Sequence, residues 1–137
     1  MRVGIVFFSG NERDKMLSVS KGLVRGIESQ GHQVDTIDGE HDVNAKLTIY
    51  NYIVLGAVGV GTVGGKIPEK IAHYLSASGM ISGKKSFAFV LRKGMRLTKT
   101  LRYLMAAMEH EGMFVKFSAI LSSQEEAEVI GKRLHIE

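Results

Sequence analysis

The sequence predicts an α/β protein: a three-layer αβα sandwich whose five-stranded parallel sheet, in the order 2-1-3-4-5, lies between helices. Three observations lead there. Short apolar runs alternate with helical patterns along the whole chain, as successive β-α-β units require. The first, third, fourth and fifth runs are continuously apolar, which suits strands covered on both faces. The second run is more polar, which suits a strand at the sheet edge.

Arg2–Phe8 (RVGIVFF) reads as the first strand, interrupted by Ser9-Gly10-Asn11. Met16, Leu17, Val19, Gly22, Leu23, Gly26 and Ile27 recur at three- and four-residue spacing, a helix that Gly31 stops. Gln33–Asp38 (QVDTID) alternates as a second strand, and Gly39–Asn44 is a polar loop. Ala45–Tyr50 is ambiguous and admits a short helix. Tyr52–Ala57 (YIVLGA) is a third strand, followed by a long glycine-rich loop from Val58 to Ile67. Pro68 fits the first position of the next helix, where its missing N–H costs nothing. That helix turns Ile71, Ala72 and Leu75 inward and ends near Gly79. Ser86–Leu91 (SFAFVL) is the fourth strand, and Arg92–Arg96 a basic loop. Leu97, Leu101, Leu104, Met105 and Met108 form a helical core stripe that ends at Gly112. Phe114–Leu121 (FVKFSAIL) is the last strand. Ser122 and Ser123, each followed three residues on by a glutamate, offer overlapping capping boxes for a final helix that buries Ala127, Ile130 and Leu134.

A chain of 137 residues is the size of one domain, expected to span 1–137 without a linker. With 45 % hydrophobic and 23 % charged residues the composition is that of a folded protein, not a disordered one. Cys is absent, which excludes disulfide scaffolds, thiol nucleophiles and thiolate-held metal centres. The first apolar run is too short for a signal peptide and no run is long enough to span a bilayer, so the expected location is cytoplasmic. From Lys70 to Met108 there is no Asp or Glu, while Lys70, Lys84, Lys85, Arg92, Lys93, Arg96, Lys99 and Arg102 fall in that stretch. Such one-sidedness points to an anionic ligand or an acidic protein partner, with a solvated basic face as the competing reading.

In a sheet of this order ligands bind where the strand order reverses, outside the carboxyl ends of the first and third strands. The candidate site is therefore built from Ser9, Gly10, Asn11 and Arg13, from Val58, Gly59, Val60 and Gly61, and from Arg92, Lys93, Gly94 and Met95. The first loop opens a helix, whose free N–H groups and positive dipole end suit a phosphate. Simple capping by Ser9 or Asn11 is the alternative, and Glu12 and Asp14 would repel a dianion. The glycines at 59, 61 and 64 spell G-x-G-x-x-G, but after the wrong strand and without the acid that a dinucleotide fingerprint needs.

At these loops the chain resembles the flavodoxin-like family, over nearly its whole length. FFSGNERDKML (Phe7 to Leu17) resembles the family's phosphate loop, and YIVLGAVGVGTVGGKIPEKIAHYL (Tyr52 to Leu75) its third strand, ligand loop and following helix. The resemblance implies non-covalent binding of flavin mononucleotide (FMN) and electron transfer, with a redox protein as partner. The chain departs from the pattern in three ways. The threonines of the phosphate loop are missing, the ring-binding loops carry no aromatic residue, and the sequence pI is near 9.4 where electron-transfer flavodoxins are acidic. A flavin in so positive a field is easier to reduce. The departures leave a second expectation: a cofactor-free member of the fold that binds an acidic partner. Nucleic-acid binding ranks last, because Phe87 and Phe89 belong to a buried strand and leave no stacking platform. Asp38, Glu40, His41 and Asp42 read as a solvated turn in preference to a cation site.

Overall fold

The computed structural model describes residues 1–60 and 65–137. The chain runs β1 (Arg2–Phe8), α1 (Arg13–Glu28), β2 (Gln33–Asp38), β3 (Tyr52–Ala57), α2 (Glu69–Ser76), β4 (Lys85–Leu91), α3 (Leu97–His110), β5 (Phe114–Leu121) and α4 (Gln124–Arg133). The five strands form one sheet in the order β2-β1-β3-β4-β5, with every pairing parallel.

Alternation along the strands sorts side chains onto two faces. Val3, Ile5, Phe7, Val54, Phe87 and Phe89 pack with Met16, Val19, Leu23 and Ile27 of α1 and Ala127 of α4. Val6, Phe8, Ile53, Leu55, Ala88 and Val90 pack on the other side with Ile71 and Leu75 of α2 and Leu104 and Met108 of α3. Two covered faces explain why β1, β3 and β4 are continuously apolar.

Three local expectations are corrected. β5 is not covered on both faces. Its outer position leaves Phe114 57 % and Phe117 45 % exposed, and only Leu121 is buried. The ambiguous segment 45–50 resolves as irregular chain with a turn at Thr48 and Ile49, without a helix. Pro68 sits one position before α2, in an extended conformation (φ −61°, ψ 138°), so the helix begins at Glu69. Its fixed φ fits that slot equally well. The last capping box forms with a shift. Ser123 Oγ accepts from Glu126 N at 3.1 Å, while the Glu126 carboxylate reaches back to Ser122 N at 2.8 Å.

Candidate functional site at the strand-end cleft

The carboxyl ends of β1, β3 and β4 open into a cleft of about 580 Å³, within the range of small-molecule sites. Its walls come from the three loops that the strand order brings together. Gly10 and Asn11 follow β1, Val58, Gly59 and Val60 follow β3, and Lys93, Gly94 and Met95 follow β4. Phe8, Glu40, Pro68, Lys70 and Thr100 complete it.

The first loop is a backbone cradle. Glu12 N donates to Ser9 O at 2.8 Å, closing a turn that turns the Ser9 and Gly10 N–H groups the same way. Gly10 has φ +50°, a left-handed conformation that glycine adopts without a Cβ penalty. Both N–H groups donate to one acceptor, Glu40 Oε1, at 3.0 Å each, and the Ser9 hydroxyl donates to it at 3.3 Å. The other carboxylate oxygen, Oε2, pairs with the Lys70 ammonium at the start of α2. Partial burial alone would push the Glu40 carboxyl up. The Lys70 ammonium and the Gly10 and Ser9 donors outweigh that and hold it below its ordinary value.

The turn after β2 delivers this carboxylate. Phe7 of β1 lies opposite Asp38 at the end of β2, and Gly39 N continues the ladder to Phe7 O at 2.9 Å. Gly39 lies against the Phe8 ring, which a Cβ would approach to 2.4 Å, so only glycine lets the turn come this close. Asp38 Oδ1 accepts from Glu40 N at 3.1 Å. Asp38 Oδ2 takes the Arg13 guanidinium at 2.6 Å and lies 2.7 Å from His41 Nδ1. Partial burial opposes the charge on Asp38, but these donors prevail and its carboxyl also sits below the ordinary range. Asp38 and Glu40 thus make the acidic turn a hydrogen-bonded brace, while His41 and Asp42 stay exposed to solvent as the sequence suggests. Among the described residues no group of three metal-ligating side chains converges anywhere.

The predicted site residues divide accordingly. Gly10, Asn11, Val58, Gly59, Val60, Lys93, Gly94 and Met95 line one cleft. Ser9 is buried behind it and faces Glu40. Arg13 is turned away onto Asp38, and Arg92 stands exposed outside the cleft wall. Gly61 lies outside the described residues. Neither Ser9 nor Asn11 caps α1: the cap position is Glu12 and carries no side-chain hydrogen bond. Glu12 instead pairs with Lys93 at 2.9 Å, and Lys15 Nζ donates to Arg92 O at 2.8 Å, so two cations tie the first loop to the fourth-strand loop.

Sequence reasoning missed Glu40, Lys70 and Thr100 as site residues. Thr100 is buried and joins two walls: its hydroxyl accepts from Gly65 N at 3.1 Å and donates to Arg96 O at 3.2 Å. Beside it, Val60 N donates to Lys66 O at 3.0 Å and pins the base of the third-strand loop. Where the third-strand and fourth-strand loops face the cleft, Val58, Val60 and Met95 give it aliphatic and thioether lining, with Met95 68 % exposed. The Phe8 ring packs edge-on against Tyr74 in the core, 5.5 Å between centroids.

No protein-family model matches the chain, and no curated protein does. Solved structures do. Oxidised Flavodoxin 1 from Bacillus cereus is 17 % identical with a TM-score of 0.72, over 98 % of this chain and 99 % of that one. Oxidised Flavodoxin 2 from the same organism is 16 % identical with a TM-score of 0.73, over 96 % and 95 %. The two-electron reduced flavodoxin of Megasphaera elsdenii is 18 % identical with a TM-score of 0.68, over 95 % and 98 %. The chain has the flavodoxin-like fold, from end to end.

Proposed function

We propose that the chain binds FMN non-covalently in the strand-end cleft and uses it for electron transfer. The observation that carries this reading is the donor set of the first loop. The Ser9 and Gly10 N–H groups and the Ser9 hydroxyl already hold a carboxylate oxygen, so they suit an anionic group of comparable size. Lys70 and Lys93 line the same cleft, where Glu40 and Glu12 occupy them as an anionic ligand would. Solved neighbours of this fold include flavodoxins, and that likeness supports FMN over other anionic ligands. When bound, the flavin supplies the redox chemistry. The chain's part is to orient it. Ser9 and Gly10 would hold the phosphate, while Val58, Val60 and Met95 would cover the ring with apolar surface and keep water off it. Titrating the purified protein with FMN tests the reading. Quenched flavin fluorescence and a shifted visible band are expected, and the absence of both at high micromolar flavin overturns it.

A second reading is favoured by a separate observation. Arg92, Arg96, Lys99 and Arg102 are exposed and make no ion pair among the described residues. A cofactor-free module that docks an acidic protein partner uses that rim directly. Capture of such a partner at low salt, lost in the Arg92→Glu/Lys99→Glu variant, supports this reading, and capture that survives the double substitution rejects it.

A further inference from the structure

We propose that Glu40 is an internal counter-ligand: its carboxylate fills the cradle that a ligand's phosphate needs, and the two exclude each other. The inference takes its ligand from the FMN reading, but its chemistry stands on the cradle alone. Ser9 N and Gly10 N converge on one carboxylate oxygen, and each N–H has one hydrogen to give. A phosphate oxygen placed on the same donors would meet Glu40 Oε1 at the same point, and two anions there repel as well as collide.

The arrangement is braced. Asp38 fixes the Glu40 backbone N–H, Gly39 allows the turn to press on Phe8, and Lys70 holds the outer carboxylate oxygen. Glu40 also lines the open cleft, so its side chain has room to swing outward without unfolding the turn. Once it leaves, the Lys70 ammonium remains beside the cradle as a cation for the incoming phosphate. Glu40 therefore determines how strongly the site distinguishes a phosphorylated ligand from its unphosphorylated form, and Lys70 serves both states.

The test compares FMN with riboflavin, which has the same ring and no phosphate, on wild type, Glu40→Ala and Glu40→Gln. Removing a competitor held by several charge-assisted hydrogen bonds tightens FMN binding about tenfold or more in Glu40→Ala. Riboflavin affinity stays at the wild-type value. Glu40→Gln, a neutral side chain that can still accept from the cradle, falls between the two. Where wild type binds flavin, equal tightening of FMN and riboflavin, or no change for either, overturns the proposal. A second readout needs no flavin. Millimolar inorganic phosphate shifts the Ser9 and Gly10 amide resonances in Glu40→Ala and leaves them in place in wild type at the same concentration. If the variant's amides do not respond, the proposal fails. If they respond while no variant binds flavin, it is the FMN reading that fails and the counter-ligand that stands.

Discussion

On the face formed by α1 and α4, helix backbones touch. A Cβ on Gly22 would come within 2.2 Å of Gln124 O, and one on Gly26 within 2.4 Å of Glu128 O. Gly131 of α4 faces α1 in the same way, 2.8 Å from Leu23 O. At the strand-end cleft the loops are joined instead by charge: Asp38 with Arg13, Glu40 with Lys70, Glu12 with Lys93. The first region gains from close packing, which is insensitive to pH and salt. The second depends on donors and acceptors that a ligand, a proton or an ion can replace. Stability and binding are therefore separable by mutation in this chain.

The strongest way to break that separation lies in the packed face. Gly26→Leu forces α1 away from α4, where the obstructing atoms are backbone and cannot rotate aside. It should cost about 3 kcal/mol, which the gain in helix propensity of about 1 kcal/mol does not offset. Urea denaturation measures the loss. Cleft properties, read by the FMN-to-riboflavin affinity ratio, should not move at temperatures where the variant is folded, and a changed ratio would show that the regions are coupled.

Asp38→Asn comes next, with a loss of about 2 kcal/mol from weakened hydrogen bonds to a formerly charged acceptor. This loss depends on pH, and its sign follows from the depressed carboxyl. Folded Asp38 releases its proton more readily than unfolded Asp38, so its contribution is whole above the unfolded value, about 4, and fades as pH falls through the lower folded value. Glu40 behaves likewise, also on the acid side. Denaturation at pH 7 should separate wild type from Asp38→Asn by the full amount, and the gap should close in strong acid. A gap that stays constant to the acid limit would mean that Asp38 acts through packing alone. Gly26→Leu, with no titrating group, should show the constant gap.

The contrast also explains what the sequence could tell. β1, β2, β3 and β5 begin and end where the apolar runs and the Gly and Asp punctuation place them, because that local pattern marks strand ends whether or not both faces are covered. The Val58–Val60 and Lys93–Met95 walls followed from strand order alone. Glu40 did not. Its role arises from register: β2 lies beside β1 with Asp38 opposite Phe7, and this carries a residue remote in sequence onto Ser9 and Gly10. A usable signal was present, an acid directly after the Asp-Gly that ends the strand next to the cradle. It acquires meaning only once the neighbouring strand is fixed. Arg13 misled for the complementary reason: a cation beside a cradle looks free until the acid at the end of β2 claims it.

The smaller tests concern the contacts where two walls of the cleft meet at Thr100 and Arg96. Thr100→Val keeps shape but leaves Gly65 N without its acceptor, in a buried position, for a loss of about 1 kcal/mol. Because Thr100 also sits against Gly59, the variant should weaken flavin binding more than its stability loss alone explains. Equal changes for FMN and riboflavin would place that effect at the ring side of the cleft, away from the cradle.

Arg96, which caps α3, is the last and smallest case. It has φ +58° and ψ +41°, and among the described residues no other non-glycine residue has positive φ. A side chain in the left-handed region costs about 1 kcal/mol or more, which Arg96→Gly relieves, while glycine's greater freedom in the unfolded chain takes back about half of it. The net gain is about 0.5 kcal/mol, readable as a raised denaturation midpoint. The arginine at this strained position is exposed, and its side chain makes no ion pair among the described residues, so packing does not account for its presence. If Arg96→Gly stabilises the chain and lowers capture of an acidic partner at low salt, the strain is retained for the charge it presents at the rim. If it stabilises without affecting capture, the charge at this position has no docking role.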